Sequence, residues 1–429
     1  MTTVLCIAIF IILTLWLFRL QNKQEVDIKI PQEKNYIVRC SGLEALIIAM
    51  YATAWIGLNP VISIRLGILE VLCILGIFKC TNKLPFSLPF KLYAVFIIWV
   101  CIGIFYSTSL NFGIRMILKY LYPFLFGLLT AKVVREGATF ISAGLWGRYI
   151  GSIGIVFLFI PGLSSILAPY LWFVAAFITG LITFIIFSFS LADFGNNKKK
   201  NIWWGVLLCL PCLFAVFRTD ILGTATAIAA FSLIKYRFKA VPIILGIGIL
   251  GICAIFYVPT IKNKMFIMPE KASIQDVMSG NIDEDNIQTN YRKFMWEDAI
   301  EKFYDGHELI GSGTGRVQTF FYTEATDSRK SGQLHNDFLV IRCDNGQIGF
   351  WLFILAYFSI LFHCMKLYRS AKNPYTQMCA LVAGSSLIGV AVTMFSDNTI
   401  SYSMVTLSAP WGFYGMALGL KYREDHEFD

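Results

Sequence analysis

The sequence predicts an all-α fold: a polytopic transmembrane helical bundle of about 12–13 spans with one large extracytoplasmic loop. Hydrophobic residues make up 57% of the 429 residues, and charged residues make up only 15%. A soluble domain of this length carries about 25% charged residues. The apolar residues form long uncharged runs, which are typical of membrane spans. One polar stretch, 259–345, interrupts these runs.

Apolar runs of about 20 residues predict membrane spans, because a helix with a rise of about 1.5 Å per residue needs that length to cross the bilayer. The candidates are 3–20, 43–58, 61–78, 90–107, 114–131, 138–160, 170–191, 202–217, 219–234, 240–258, 346–365, 376–395 and 404–420. The pairs 43–58 with 61–78 and 202–217 with 219–234 are short and closely joined, so each is also consistent with a hairpin that does not cross fully. Residues 1–18 have no basic start, and we expect a retained span there rather than a signal peptide.

The basic residues predict the orientation, because Lys and Arg collect in the cytoplasmic loops of membrane proteins. When the spans are counted, every basic cluster falls on the side of the C-terminus, which is then the cytoplasm. The clusters are 23–39, 79–91, 132–135, 198–200, 235–239, 366–372 and 421–423. The loop 259–345 then lies outside, and its ten Lys/Arg and fourteen Asp/Glu residues give a net charge of −4. Topology and anionic membrane lipid account for the overall charge of +9, and no nucleic-acid partner is expected.

This pattern divides the chain into N-terminal transmembrane helices (1–258), the large periplasmic or extracellular loop (259–345), and C-terminal transmembrane helices with a cytoplasmic tail (346–429). Within the loop, residues 269–288 are polar and acidic and are predicted to be mobile. Apolar residues then recur at helical spacing up to Phe303, with Thr289 or Asn290 as the candidate N-cap and Gly306 as the end. We expect an amphipathic helix there, lying against the outer face.

The glycine-rich turn at residues 311–315 follows this helix. It has no preceding strand and no Lys-Ser/Thr pair, so it does not indicate a nucleotide site. We expect a flexible turn, and the alternative is a nest of backbone N–H groups that binds phosphate.

Charged residues inside spans are functional candidates, because an ion in a bilayer costs several kcal/mol. These residues are Arg65, Glu70, Arg115, Lys119, Arg148, Arg218, Asp220 and Asp397. Arg65 and Arg115 could simply extend to the outer headgroups, and Arg148 could pair with Glu70. Arg218 lies at a tight turn between two spans, and Asp220 is too close in sequence to replace an anionic partner, so we predict that Arg218 binds substrate. Cations at the outer face suit a lipid diphosphate, because guanidinium groups match phosphate oxygens.

His335 stands just before the chain re-enters the membrane, and Asn336 and Asp337 follow it. Histidine titrates near neutral pH, which makes this residue a candidate general base. The loop shows no paired carboxylates and no His/Cys spacing typical of metal ligands, so no metal and no cofactor are predicted.

These residues resemble the O-antigen ligase and polymerase family of bacterial polysaccharide assembly in three places. Phe217-Arg218-Thr219 before an Ala-rich span resembles the family's arginine at the outer end of a span, although a Ser often stands where Phe217 is. The run from Asn290 to Ala299, with Gly311-Ser312-Gly313, resembles the helix and turn of its large periplasmic loop. His335-Asn336, followed after nine residues by Gly346-Gln347-Ile348-Gly349, resembles its loop-end signature.

The resemblance implies an integral-membrane glycosyltransferase of the C type (GT-C-like) in the bacterial inner membrane. Its donor would be an undecaprenyl-diphosphate-linked glycan, held by Arg218 and Arg292, with Arg115, Lys119 and Asn336 as further substrate-binding candidates. His335 would take the proton from the acceptor hydroxyl, without a metal. A chain-length regulator or a flippase would be a partner protein.

We predict a polymerase of repeat units for O-antigen, capsule or exopolysaccharide. The alternative within the family is an O-antigen ligase that transfers finished glycan to lipid A core. A flippase for lipid-linked sugar is a weaker alternative, since inverted repeats are not evident and the large loop suggests catalysis. A membrane scaffold would leave Arg218 and His335 unexplained.

Overall fold

The computed structural model describes residues 2–30, 37–58, 61–160, 162–167, 170, 172, 174–194, 197–215, 217–279, 286–288, 292–324 and 333–426. Within these ranges the chain is a helical bundle, which confirms the predicted fold class. The helices before the large loop are α1 (Thr2–Gln21), α2 (Gly42–Thr53), α3 (Ile62–Lys79), α4 (Leu88–Ile102), α5 (Leu110–Val133), α6 (Gly137–Phe159), α7 (Leu163–Leu167), α8 (Val174–Phe194), α9 (Lys198–Ala215), α10 (Arg218–Tyr236) and α11 (Val241–Tyr257). The later helices are α12 (Pro259–Met265), α13 (Ile274–Ser279), α14 (Arg292–Ala299), α15 (Arg316–Thr319), α16 (Asp337–Ser370), α17 (Pro374–Met394), α18 (Ser403–Thr406) and α19 (Ser408–His426).

Eight of the described helices are long and apolar enough to cross a membrane. They are α1, α4, α5, α6, α8, α10, α16 and α17. The bent pair formed by Ile244–Tyr257 and Pro259–Met265 raises the number to nine if it counts as one span. By length and apolar composition, the described helices therefore supply fewer spans than the 12–13 that we predicted. The remaining predicted spans are helical, but α2 has only 12 residues, and α3, α9 and α19 carry more charge.

A short β-hairpin, absent from the sequence prediction, lies between α1 and α2. Its antiparallel strands are β1 (Val26–Lys29) and β2 (Ile37–Cys40), and Val26 lies opposite Cys40. The indole Nε1 of Trp146 donates to the carbonyl of Lys29 at 3.1 Å, which fastens the hairpin to α6.

The centre of the bundle is α17, which packs against α8, α10, α16 and α19. Its most apolar stretch is 78% buried, whereas that of α1 is 17% buried. Helix α19 in turn packs closely on α5. A Cβ atom on Gly415 would lie 2.1 Å from the carbonyl oxygen of Gly127, so only glycine permits this approach. Small residues at such contacts are a common means of packing membrane helices.

The amphipathic helix predicted in the loop is present as α14, and a wider helical turn, Ile300–Tyr304, continues it. It ends before Gly306, as predicted, and buries Met295, Ala299 and Phe303 against the rest of the protein. The candidate N-caps Thr289 and Asn290 lie outside the described residues.

The glycine-rich turn is held firmly against α4 and α16, contrary to the expectation of a flexible turn. The carboxylate of Asp344 accepts the N–H groups of Gly315 at 2.8 Å and Val317 at 3.0 Å. The Thr314 hydroxyl donates to the carbonyl of Val100 on α4 at 2.7 Å. Since the Asp344 carboxylate already accepts these N–H groups, they are not available to bind phosphate, as the alternative prediction of a phosphate-binding nest required.

Candidate functional site

The candidate site is built around the segment Ser396–Tyr402, which joins α17 to α18 beside the large loop. We call it the 396–402 segment. Five distant parts of the chain hydrogen-bond to it: α5, the start of α10, the start of α14, α15, and the residues around the start of α16. The contacts are Lys119 and Gln318 with Ser401, Thr219 and Arg292 with Ser396, His335 with Asp397 and Asn398, and Asp337 with Ile400.

Arg292, one of the two predicted diphosphate ligands, contacts the start of this segment, and Arg218, the other, lies close to Arg292. Each is the first residue of a helix, Arg218 of α10 and Arg292 of α14. Arg292 donates to the carbonyl of Ser396 at 2.5 Å, and Arg218 donates to the carbonyl of Gln288 at 2.9 Å. The two positive charges lie close enough to repel each other. Because a helix N-terminus also attracts anions, the pair forms a positive centre suited to phosphate oxygens.

Burial lowers the pKa of Arg292, and the nearby carboxylate of Asp397 opposes this change. An arginine stays charged at neutral pH in proteins. The shift therefore means that the buried charge of Arg292 is poorly solvated, so an anionic ligand beside it would be stabilising.

His335 lies next to the arginine pair and has an unusual backbone conformation. Its φ angle is +54°, in the left-handed region that non-glycine residues rarely adopt. Its backbone N–H donates to Oδ1 of Asn398 at 2.9 Å, which holds the residue in this conformation. Its side chain is 30% exposed, so the imidazole is reachable from outside. Strain of this kind, which costs about 1–3 kcal/mol, is concentrated at functional sites.

The Nδ1 atom of His335 has two competing neighbours. The Nδ2 atom of Asn398 is 2.8 Å away, and Oδ1 of Asp397 is 3.3 Å away. The Asn398 amide donates to Nδ1 when the imidazole proton is on Nε2, whereas the Asp397 carboxylate accepts from Nδ1 when the proton is there. The second arrangement leaves Nε2 free to accept a proton, as a general base requires.

Asn336 and Asp337 connect the histidine to the bundle. Oδ1 of Asn336 accepts the N–H of Leu339 at 3.0 Å and so caps α16. The side chain is buried, and this cap gives it a structural contact in addition to the substrate contact that we predicted. The Asp337 carboxylate accepts the N–H of Ile400 at 2.9 Å, which fixes the 396–402 segment against α16.

Lys119 and Arg115 lie at the other end of the 396–402 segment. The amine of Lys119 donates to the hydroxyl of Ser401 at 3.4 Å. Arg115, one turn further out on α5, is exposed, and its guanidinium lies 5.4 Å from the ring centre of Phe112. The contacts of these two cations therefore differ from those of the arginine pair at Ser396.

The remaining intramembrane arginines have protein partners. Arg65 is only 4% exposed and donates to the carbonyls of Thr53, at 2.7 Å, and Ile56, so the interpretation of a headgroup contact is wrong for this residue. Arg148 donates to Ser188 at 3.3 Å and Asn201 at 3.0 Å and lies against Trp204.

The predicted Arg148–Glu70 pair is also wrong for the described residues. Helix α3, which carries Glu70, packs on α5, whereas α6, which carries Arg148, packs on α2 and α8. Oε1 of Glu70 has no hydrogen-bond partner in the part of the chain that the structure describes.

Two residues of the site were not assigned a role from the sequence. Asp397 was recognised only as a charge at the outer end of a span, and Asn398 was not singled out. Both lie more than 60 positions from His335. The one signal available was an acid and an amide side by side at a span end, which is too short a pattern to indicate a partner.

The fold and this site together define a multi-pass helical membrane protein in which the large loop brings Arg292 and His335 to one connecting segment, close to Arg218. Residues 203–354 match the O-antigen ligase family model (Wzy_C), so this part of the chain is similar to that family, which confirms the resemblance. The match includes Arg218, Arg292 and His335. A search of curated proteins returned no match.

This family consists of O-antigen ligases and polymerases, which are membrane proteins of the glycosyltransferase type, and it implies a lipid-linked glycan substrate.

Proposed function

We propose that this protein is a membrane glycosyltransferase that polymerises undecaprenyl-diphosphate-linked oligosaccharide repeat units at the outer face of the bacterial inner membrane. The observation that carries the proposal is that Arg292 and His335 contact consecutive residues of the 396–402 segment, Ser396 to Asn398, while Arg218 lies close to Arg292. A cationic centre beside a histidine is the arrangement that transfer from a glycosyl diphosphate to a hydroxyl requires.

In this proposal, Arg218 and Arg292 bind the diphosphate of the donor. The acceptor hydroxyl oxygen attacks the anomeric carbon while the bond between that carbon and the diphosphate oxygen breaks. The leaving diphosphate keeps the electron pair of that bond, and the two guanidinium groups stabilise its negative charge. His335 receives the proton of the acceptor hydroxyl at Nε2, and Asp397 stabilises the proton at Nδ1.

The two arginines supply the positive charge that stabilises the leaving group. The proposal therefore assigns no step to a metal or a cofactor. Its remaining parts are the expectations from the resemblance: loop 259–345 outside the membrane, and a chain-length regulator or flippase as a partner protein.

The match to an O-antigen ligase model favours one alternative, a ligase that moves finished glycan to lipid A core. Both activities would use the same donor site and the same histidine. They differ in the acceptor, so the product distinguishes them: a ladder of repeat units for a polymerase, and a single transfer for a ligase.

The test is transfer by the purified protein in liposomes, with lipid-linked repeat units alone or with added lipid A core. Arg218→Ala and Arg292→Ala should abolish product formation, and Lys at either position should restore little, because an ammonium group cannot make the two-pronged contact. His335→Gln should slow transfer about 10²–10⁴-fold while donor binding persists.

A matched control is Arg316→Ala in the same loop, because Arg316 pairs with Glu324 at the surface and does not reach the segment. Its activity should remain near that of the wild type. Normal chain lengths in both arginine variants would disprove the donor site. Activity of His335→Gln near wild type would disprove the base, and loss of wild-type activity with a chelator would disprove the metal-free mechanism.

A further inference from the structure

A group of aromatic and cationic side chains lies at the outer end of α5, next to the candidate site. We call Phe112, Arg115 and Tyr322 the α5 ledge. The rings of Phe112 and Tyr322 stack with centres 5.6 Å apart at 27°, and the Arg115 guanidinium lies over Phe112. Tyr322 is 50% exposed, so much of its ring is open to the outside.

The α5 ledge is joined to His335 by hydrogen-bonding side chains. Gln333, two residues before His335, donates to the Tyr322 hydroxyl at 3.3 Å. Gln333 also hydrogen-bonds Tyr402, at the end of the 396–402 segment. Burial, assisted by the Asp397 charge, raises the pKa of Tyr402 to about 12, so this hydroxyl keeps its proton at neutral pH.

Arg115 differs from Arg316 of the neighbouring helix α15, which is paired with Glu324. Among the described residues, no carboxylate lies within ion-pair distance of Arg115. Its guanidinium donors and the open face of Tyr322 therefore remain available to a ligand.

The position of the α5 ledge relative to the arginine pair limits what that ligand is. Arg292 contacts Ser396 at the start of the 396–402 segment, His335 contacts the next two residues, and α5 contacts Ser401 near the end of the segment. In an in-line displacement the attacking hydroxyl comes from the side opposite the leaving diphosphate. The acceptor therefore belongs beyond His335, on the side of α5.

We propose that the α5 ledge binds a sugar ring of the acceptor glycan. The apolar C–H face of a pyranose packs on the exposed ring of Tyr322, and Arg115 donates hydrogen bonds to its hydroxyl groups. This inference rests on the proposed transfer reaction, and it makes the acceptor a glycan rather than a simple lipid headgroup.

The experiment measures binding separately from transfer. The probe is the oligosaccharide released by mild acid from the surface polysaccharide of the source bacterium, which lacks both lipid and diphosphate. Saturation-transfer NMR records its binding to the purified full-length protein in nanodiscs. Tyr322→Ala should weaken binding about three- to tenfold and raise the acceptor KM by a similar factor, with the donor KM unchanged.

The variants Tyr322→Phe and Arg115→Ala refine the result: the first should retain most of the binding, and the second should weaken it. Phe105→Ala is the control, since Phe105 is an 88% exposed aromatic residue at the same end of the bundle, on the segment after α4. Its binding should equal that of the wild type, as expected for a lipid-facing residue.

Unchanged oligosaccharide binding in Tyr322→Ala would overturn the proposal and leave the ledge as an anchor at the membrane surface. An equal rise in donor and acceptor KM would also overturn it, because that result indicates a general structural effect. If the wild-type protein binds the oligosaccharide through Tyr322 but transfers nothing, the proposed function fails and the glycan site stands.

Discussion

At the scale of single residues, Asp397 and Asn398 favour opposite tautomers of the His335 imidazole, because one accepts a proton from Nδ1 and the other donates to it. The amide of Asn398 cannot turn over without cost, because its Oδ1 already accepts the backbone N–H of His335. Its Nδ2 therefore faces Nδ1 and favours the tautomer with the proton on Nε2. The carboxylate of Asp397 favours the opposite tautomer, which is the one that can act as a base.

Replacing Asp397 with Asn should therefore remove the base form while leaving the fold intact. We expect transfer to fall about 10²–10⁴-fold, with donor binding retained. Without the carboxylate, the imidazole keeps its proton on Nε2, and this nitrogen then has no lone pair to accept a proton from the acceptor hydroxyl. The measurement is single-turnover transfer by purified protein, together with side-chain ¹⁵N NMR shifts of His335 to identify the tautomer.

Asn398→Ala is the matched variant. It removes the competing donor and keeps Asp397, so its loss of activity should be smaller than that of Asp397→Asn. If the two variants lose activity equally and both proteins are folded, anchoring of the His335 backbone is the main role of this pair, and the tautomer argument is wrong.

At the scale of elements, helix α15 and the glycine turn before it depend on one carboxylate from α16. Asp344 is 1% exposed, and its two oxygens accept the N–H groups of Gly315 and Val317. The helix of Asp344 breaks two residues later at Gly346, whose φ is +64°. This break lets Asp344 face the turn while the rest of α16 continues as a long span.

Asp344→Ala should destabilise the outer end of the bundle, because two buried N–H groups lose their acceptor at about 1–3 kcal/mol each. The check is thermal unfolding of purified protein in nanodiscs, where Tm should fall clearly below that of the wild type. Glu324→Ala is the control, since an exposed ion pair in the same loop contributes at most about 1 kcal/mol. Equal Tm values for the two variants would contradict this role of Asp344.

Helices with long apolar runs or clear caps were predictable from the sequence, because their signals are local. Helix α14 and its end near Gly306 are examples. The β1–β2 hairpin was not predictable, since its strands have only four residues each and lie in a basic stretch. Contacts such as His335 with Asp397 join distant residues, and no local pattern indicates them.

At the scale of the whole molecule, the basic helix ends meet at the end of the bundle opposite the large loop. Lys79 donates to the carbonyl of Gln21, and Arg135 donates to the carbonyl of Lys83. Arg423 pairs with Glu136 in the same region. The loop elements, in contrast, contact the far ends of α4 and α5, as Thr314 does with Val100.

This separation of charge predicts the orientation in the cell, because helix ends rich in Lys and Arg stay in the cytoplasm. A reporter that is active only in the cytoplasm should be silent when the chain is fused to it after Ser279, in the loop. The same reporter after His426 should be active, and alkaline phosphatase, which needs the periplasm, should give the reverse pattern. A strong cytoplasmic signal after Ser279 would place the arginine pair and His335 on the inner face, where an acceptor outside the membrane cannot reach them. That result would overturn the orientation and the proposed transfer at the outer face together.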